Sequence, residues 1–425
     1  MAGSGWIETT IGEQATLQRG IDITKASQRP GKVPVVSSGG ISSYHDTFQV
    51  SAPSVVLGRK GVVGSVYYIT EDYWPHDTTL WVKDFHNNDP RLVYYFFKSL
   101  APRIARMDVG SANPTLNRNH VHPIKVLWPP LDEQKAIAHI LGTLDDKIEL
   151  NQQMNRTLEG IARALFKSWF IDFDPVRAKL DDRQPSGMDA ETAALFPDAF
   201  EDGGAIGKIP KSWKVKELGD FVDIKHGYAF KGDYFRTEPP GDILLTPGNF
   251  AIGGGFKGDK LKYYDGPVPE EFVLEEGDLL VTMTDLSKAS DTLGYPAFVP
   301  KPRRTQYLHN QRLGKVLINL ESPVNKIYLY FLLRTDEYRH EVLASSSGTT
   351  VKHTSPQKIK AFKFPCPDPS ILQNFEEKVL ALHQKLEANA DESASLTSVR
   401  DTLLPKLLSG EIRVKEAVQA LEAVA

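Results

Sequence analysis

Asp368, Glu376 and Lys378 have the residue types of a metal-dependent nuclease: two carboxylates could hold a divalent cation and the lysine could stabilise developing charge. They fall at the start of a heptad-patterned segment in which Glu376 and Lys378 flank the apolar seam, so a solvated helix face accounts for them better. No Gly-rich loop runs into Lys-Ser or Lys-Thr at the spacing a phosphate cradle needs; Gly253-Gly-Gly255 and Gly58…Gly61…Gly64 suit turns. No Asp/Asn-Pro-Pro-Tyr/Phe stretch is present to hold a target amine, since the proline pairs read Trp128-Pro-Pro-Leu131 and Glu238-Pro-Pro-Gly241. His-Glu-x-x-His and Gly-x-Ser-x-Gly do not occur, and the 11 histidines are scattered. The single cysteine, Cys366, excludes an internal disulfide framework, a Cys-based zinc cluster and a CxxC redox pair, and fits a reducing cytoplasm. The expectation is a chain without a catalytic centre or a metal site.

What remains is binding. Several short polar stretches concentrate the side chains that read base edges and phosphates. In the first half they are Arg59-Lys60, His76-Asp-Thr78-Thr79, and Asn113 through Thr115, Asn117, Arg118, Asn119 and His120. In the second half they are Lys231, Thr282-Met-Thr284 through Lys288, His309-Asn310-Gln311-Arg312, and Ser345-Ser-Ser-Gly-Thr349-Thr350-Val-Lys352-His353. Most are flanked by β-like sequence, as expected for loops presented by a rigid scaffold. Ordinary solvated loops would look similar one at a time; recurrence in both halves favours contact sites.

Elements to position these loops are legible as a repeat. Gly5-Trp6…Gly12…Gly20 recurs as Ser212-Trp213…Gly219…Gly227 at an offset of 207 residues. Thr115-Leu116, Ile124-Lys125 and Pro130 match Thr350-Val351, Ile359-Lys360 and Pro365 at an offset of 235, which implies an insertion of about 28 residues (235 − 207) in the second half. Each half then ends in a heptad seam. One runs Ile137, Leu141, Leu144, Ile148, Asn151, Asn155, Leu158, Ala162, Leu165, Trp169; the other runs Phe375, Val379, Leu382, Leu386, Asn389, Ser393, Leu396, Arg400, Leu403, Leu407. Helices are predicted over Asp132–Phe170, with Asp132 as N-cap, and over Ser370–Leu408, with Ser370 and Gln373 as a capping box. At ~1.5 Å per residue each spans ~58 Å. Each has a narrow apolar stripe and no partner in its own half, so the two are expected to pair with each other; the alternatives are that each packs on its own globular unit or drives homodimerisation. Asn151, Asn155 and Asn389 either fix register or mark a wet stretch of seam.

The 425 residues, 41% hydrophobic and 24% charged, allow two or three domains, and no apolar run is long enough for a membrane span. The N-terminus shows no secretory signal pattern. Net charge is −4, but the balance alternates: +3 (13 − 10) over 1–130, −7 (8 − 15) over 131–205, +4 (23 − 19) over 206–365 and −4 (6 − 10) over 366–425. Mildly basic units thus alternate with acidic helical segments. The globular stretches read as mixed α and β, with strands near Ser54–Leu57, Gly64–Ile69, Thr79–Val82, Asp278–Met283, Ala297–Val299 and Leu313–Ile318, and helices near Leu92–Leu100 and Lys326–Leu333. Residues 171–205 read as an acidic, turn-rich linker.

Trp128-Pro-Pro-Leu-Asp-Glu-Gln-Lys-Ala-Ile-Ala-His-Ile-Leu141, Leu144-Asp-Asp-Lys-Ile-Glu-Leu-Asn151 and Ala164-Leu-Phe-Lys-Ser-Trp-Phe-Ile-Asp-Phe-Asp-Pro175 resemble the first conserved region of type I restriction–modification specificity (S) subunits. Thr402-Leu-Leu-Pro-Lys-Leu-Leu-Ser-Gly-Glu-Ile412 resembles the end of the second, and the stretches from Trp6 and Trp213 resemble starts of target-recognition domains. One departure is that the second helix entrance lacks a pair like Glu133-Gln134. The resemblance implies an α+β fold with a pseudo-two-fold internal repeat. Recognition domains over 1–130 and 206–365 would be joined by conserved helices over 131–170 and 366–410 that form an antiparallel coiled coil, with a linker over 171–205 and a tail over 411–425. It implies a non-catalytic, cytoplasmic prokaryotic protein that reads a bipartite asymmetric target in double-stranded DNA. Its partners would be two methylation (M) subunits carrying S-adenosylmethionine and, in a full complex, restriction (R) subunits using ATP and Mg. This chain itself would hold no cofactor. The alternatives are the specificity chain of a split system outside type I, a coiled-coil scaffold without a DNA role, and a nuclease built on the Asp368 group.

Overall fold

A computed structural model describes residues 5–107, 115–285, 287, 290–302, 305–349 and 351–422. The chain divides into two compact units, one made of Met1–Met154 with Ala388–Ala425 and the other of Asn155–Glu387. Each therefore contains part of both long helices, which run over Leu131–Phe170 and Pro369–Ser409.

In the first unit, strand Ile7–Thr10 pairs antiparallel with Lys125–Trp128, so the end of the domain closes on its beginning. A four-stranded antiparallel sheet follows the order Thr16–Arg19, Thr79–Asp84, Ser54–Gly58, Val66–Ile69. A second, three-stranded sheet joins Gly40–His45, Val33–Ser37 and the parallel Trp74–Pro75. Helix Pro90–Ala105 starts where the Asp89 carboxylate accepts from the amides of Arg91 and Leu92. Its Leu92, Val93, Phe96 and Phe97 are buried in one core with Leu17, Leu57, Leu80 and Val82 of the sheet. Ile137, Leu141 and Leu144 of the first long helix and Leu403, Leu404 and Leu407 of the second complete that core.

In the second unit, Lys214–Glu217 pairs with Lys363–Cys366 as the counterpart of the closing strand pair. A four-stranded sheet runs Val222–His226, Leu313–Ile318, Leu279–Thr282, Pro296–Phe298. A five-stranded sheet contains the parallel pair Asp242–Leu245 and Tyr307–His309. Helix Lys326–Leu332, capped by Asn325, buries Tyr328, Leu329 and Phe331 against Phe166, Phe170 and Phe375 of the long helices.

The long helices pair antiparallel. In the first unit Asn151 Nδ2 donates to the Glu392 carboxylate (2.8 Å) and Lys147 pairs with Glu392 (3.2 Å). In the second unit Asn155 Nδ2 donates to the Leu386 carbonyl (3.1 Å). Ile137, Leu141, Leu144, Ile148, Phe375, Val379 and Leu403 are buried, while Leu158, Leu165, Leu382, Leu386 and Leu396 are half-buried. Asn151 and Asn389 are 0% and 1% exposed and Asn155 is half-buried, and this placement fits a register-fixing polar layer.

Four expectations need correction. The repeat offset after the insertion is 238, not 235: Ile7↔Trp128 and Lys214↔Cys366 are the same strand partners in the two halves, which makes the insertion 31 residues (238 − 207). Matching by residue type alone is three residues out of register with the strand pairing. Residues 171–205 are folded structure, because Phe173, Val176 and Phe196 bury themselves against Trp169 and Trp213 while the intervening acidic residues face water. Asp132 lies inside the first turn of its helix, which begins at Leu131 directly after Pro129-Pro130. At the second helix the cap is Asp368, whose carboxylate accepts from the Ser370 amide (3.1 Å), while Gln373 turns to Glu377.

The departure at the second helix entrance has a packing basis. Glu133 accepts from the Trp6 indole (2.7 Å) and pairs with Arg413 (2.9 Å), and Gln134 Nε2 donates to Asn88 and the Pro129 carbonyl. The residues 238 positions on, Ile371 and Leu372, are fully buried apolar side chains. Trp213, the counterpart of Trp6, correspondingly has an indole nitrogen without a partner among the described residues.

Candidate nucleic-acid interface

One end of each four-stranded sheet gathers the polar loops. In the first unit, Arg19 pairs with Leu80 and Gly58 with Thr79 across the sheet, so the chain beyond Arg19, beyond Gly58 and before Thr79 emerges together. Backbone bonds tie these segments. The amides of Arg59 and Lys60 donate to the Thr78 carbonyl (2.8 and 3.1 Å), and the Leu116 amide donates to the Arg59 carbonyl (2.8 Å). Lys60 and Thr115 form a bridge. Gly20 is required here, because a Cβ would lie 2.0 Å from the His76 carbonyl oxygen.

On this frame Lys60, Thr115, Asn117, Arg118, Asn119 and His120 are exposed, and Arg59, His76 and Thr78 are half-buried. Arg59 reaches the Asp77 carbonyl (3.3 Å), and burial together with the neighbouring Arg19 charge lowers its pKa, against the pull of Asp77. Thr79 does not belong to the exposed polar surface: it is 0% exposed and its hydroxyl donates to the His76 carbonyl (2.7 Å). Asn117 caps the turn Arg118–Val121 by accepting from the Asn119 amide. Asn113 lies outside the described residues.

The second unit repeats this arrangement. His226 pairs with Gly314 and Thr282 with Leu313, and the Thr354 amide donates to the Met283 carbonyl (3.0 Å), as Leu116 does to Arg59. Tyr228 bridges Asn310 in parallel, as Ile21 bridges His76, and a Cβ on Gly227 would lie 2.2 Å from the Asn310 carbonyl oxygen. Gln311, Arg312, Thr349 and His353 are exposed and Lys352 is half-buried; Lys231 is exposed in the turn that follows Tyr228.

Three candidates are structural instead. Thr282 is buried with its hydroxyl on the Thr292 carbonyl, and Thr284 is 6% exposed and bonds His353 Nδ1 (3.1 Å). Asn310 is 5% exposed and accepts from the Arg312 amide (3.1 Å). Polar side chains that satisfy backbone groups resemble reading groups in a sequence. Lys288 and Thr350 lie outside the described residues. Asp285 is buried too. Burial works to raise its pKa, but bonds from the Ser287 and Thr292 amides outweigh this and hold it low. His309 is 1% exposed and bonded to the Leu313 carbonyl (2.9 Å); burial pushes its pKa down to about 4, with Lys315 and Lys225 adding to the effect.

Sequence reasoning missed Arg19, 58% exposed and paired with Asp77 (2.9 Å), as well as exposed His226 and Tyr228. The signal for them was the glycine that follows or separates them. It also did not foresee that Asp22 comes beside His76 and Asp77, the ligand-type atoms of the three lying within 4.8 Å of one another. The Arg19 charge on Asp77 supplies a counter-ion there already.

The residues of the nuclease-like group are engaged separately. Asp368 caps a helix, Glu376 accepts from Asn325 (2.9 Å) and Lys378 pairs with Asp189 (3.4 Å). Burial raises the Cys366 thiol to about 11, which makes it a poor nucleophile. Gly253, Gly254 and Gly255 all have φ between 84° and 100°, as a turn demands. No described helix is long and apolar enough to cross a membrane.

The fold consists of two mixed α/β units, each presenting polar loops from one end of a four-stranded sheet and each containing part of both long helices. The sequence profile of the type I restriction modification DNA specificity domain matches residues 3–160 and again 210–390, and the chain belongs to this family. It is 28% identical over 349 residues to the HindI specificity subunit of Haemophilus influenzae, covering 70% of this chain and 71% of that one. It is 26% identical over 337 residues to the MjaIX specificity subunit of Methanocaldococcus jannaschii, covering 76% and 69%. The fold is similar to the crystal structure of a type I S subunit from M. genitalium, with a TM-score of 0.57, 17% identity, and coverage of 95% and 96%. The protein is a type I restriction–modification specificity subunit, a DNA-recognition chain that does not itself carry out catalysis.

Proposed function

We propose that this subunit reads a bipartite, asymmetric target in double-stranded DNA, one half-site per unit, and positions two adenine-N6 methyltransferase (M) subunits on it. Restriction (R) subunits join in the full complex. The observation that carries this is the pairing of equivalent backbone positions with unlike side chains. The bonds that equate Arg59 with Met283 and Gly20 with Gly227 also equate Asp77 with Gln311 and Thr78 with Arg312. Equal frames carrying different hydrogen-bonding groups select different base patterns.

In this reading the acidic helix pair sets the distance between half-sites. S-adenosylmethionine belongs to the M subunits, and ATP and Mg to the R subunits, in a prokaryotic cytoplasm. The modest positive charge of the recognition segments makes the M subunits the source of further phosphate contacts. The test is a genome-wide map of N6-methyladenine in cells carrying this gene with its methyltransferase gene, and again with this gene deleted. A split, asymmetric motif that vanishes on deletion is expected. Unchanged methylation, or a continuous motif, would refute the proposal.

A further inference from the structure

Both units hold a cation between a tyrosine and a carboxylate of the first long helix. The caps Asp89 and Asn325 start equivalent helices 236 residues apart. At that offset Tyr94 matches Tyr330 and Lys98 matches Arg334. Lys98 Nζ donates to the Tyr94 hydroxyl (3.0 Å), meeting the ring at its edge, and the Arg334 guanidinium lies 4.6 Å from the Tyr330 ring centroid. Lys98 pairs with Asp145 at 3.6 Å, and Arg334 pairs with Glu159 at 2.6 Å, both carboxylates being on the first long helix.

The second-unit version is the tighter one. The Arg334 side chain is 4% exposed, and its Nε donates to the Gly253 carbonyl (2.6 Å). Arg163 of the same long helix also donates to that carbonyl (3.4 Å). The Gly253–Gly255 turn in turn places the Gly255 amide on the Pro296 carbonyl (2.8 Å), at the start of a strand of the recognition sheet. Continuous contacts thus run from Glu159 through Arg334 and the glycine turn to the edge of the sheet whose end carries the reading loops. Arg334, stacked on the Tyr330 ring and paired with Glu159, is fixed in direction as well as distance, and Lys98 is held by the Tyr94 hydroxyl and Asp145.

We infer that Arg334, and Lys98 as its counterpart, are positioning residues that fix each recognition domain's orientation on the long helix and so the accepted spacing of the half-sites. This rests on the bipartite reading proposed above. It predicts that Arg334 is replaceable by the residue found at the matching place: Arg334→Lys keeps the cation, whereas Arg334→Met keeps the length and loses the charge.

The experiment maps N6-methyladenine in cells expressing the full chain with its methyltransferase, as wild type, Arg334→Met, Arg334→Lys and Glu159→Gln. Wild type should show one spacer length. Arg334→Met and Glu159→Gln should keep both half-site words but methylate sites with a spacer one base pair longer or shorter, at roughly a tenth of the normal level or more. Arg334→Lys should resemble wild type. A single sharp spacer in both Arg334→Met and Glu159→Gln would overturn the inference, as would an Arg334→Lys map as blurred as that of Arg334→Met. If Arg334→Met fails to accumulate, the isosteric Glu159→Gln decides alone. A wild type without any split motif would instead defeat the bipartite reading itself.

Discussion

His309 should make the second unit acid-labile, and the size of the effect can be worked out. Its imidazole is buried beneath the turn carrying Asn310, Gln311 and Arg312, with Nε2 on the Leu313 carbonyl (2.9 Å). Charging it there is costly, so its folded pKa is about 4, against an ordinary value of 6.5. Between these values the unfolded chain binds more protons than the folded one, so the stabilisation is complete above pH 6.5 and is lost as pH falls through 4. Integration gives a loss of about 2 kcal/mol at pH 5 and about 3 kcal/mol at pH 4. The perturbation is His309→Gln, whose amide can still donate to the Leu313 carbonyl but does not titrate. Pulse hydrogen exchange across a urea series, read on the peptide spanning Tyr307–Ile318, isolates this region from the other unit. From pH 7.5 to pH 5 the wild-type peptide should lose about 2 kcal/mol more than the variant, other titrating groups cancelling in the difference. Equal losses in the two proteins would refute the assignment of His309 as a buried neutral group.

Gly20→Ala and Gly227→Ala each force a Cβ to within 2.0–2.2 Å of a carbonyl oxygen. Each should cost on the order of 1–3 kcal/mol and impair methylation through its own half-site alone; unaltered melting would count against the close approach. Lys60→Ala should weaken binding of the assembled complex to DNA and reduce the slope of log affinity against log salt by ~1, and an unchanged slope would exclude a phosphate contact there. Exchanging residues 1–130 for another recognition domain should change one half-site in the methylation map; change in both would defeat the modular reading.

The large elements were legible because they rest on periodicity. The heptads at Ile137–Leu165 and Phe375–Leu403 specify helices whatever surrounds them, and strand Leu313–Ile318 falls where its alternation places it. Which polar residues face outward was much less legible. Thr79, Thr282, Thr284 and Asn310 have the same side-chain types as reading groups, and only the folded backbone shows that each is consumed by a neighbouring carbonyl, amide or ring nitrogen. Conversely, Arg19 and Tyr228 sit beside glycines whose recurrence was visible, but their exposure depends on where strand pairing ends. The acidic stretch 171–205 misled because its few apolar anchors, Phe173, Val176 and Phe196, are isolated in sequence and converge only around Trp169 and Trp213.

The layer at Asn151 and Asn389 gives the sharpest test of the helix pair as a ruler. These residues are equivalent under the 238-residue repeat and sit in the same stretch of the antiparallel pair, where Asn151 Nδ2 approaches the Asn389 carbonyl at 3.5 Å. In an antiparallel pair of equivalent helices, equivalent residues meet at one level only, so this is the place where both can be lengthened without shifting seam partners on either side. Seven residues inserted in both helices here preserve the heptad phase and add ~10 Å, about 3 base pairs. The methylated motif should keep both words and lengthen its spacer accordingly. Seven residues in the first helix alone displace every seam partner beyond the insertion by two turns, moving Asn155 away from Leu386, and should abolish methylation through both half-sites. Three base pairs also turn a half-site about the duplex by roughly 100°, so methylation with the longer spacer requires the recognition domains to follow that rotation. A spacer that stays at its original length in the doubly extended protein would show that the helix pair does not measure the distance.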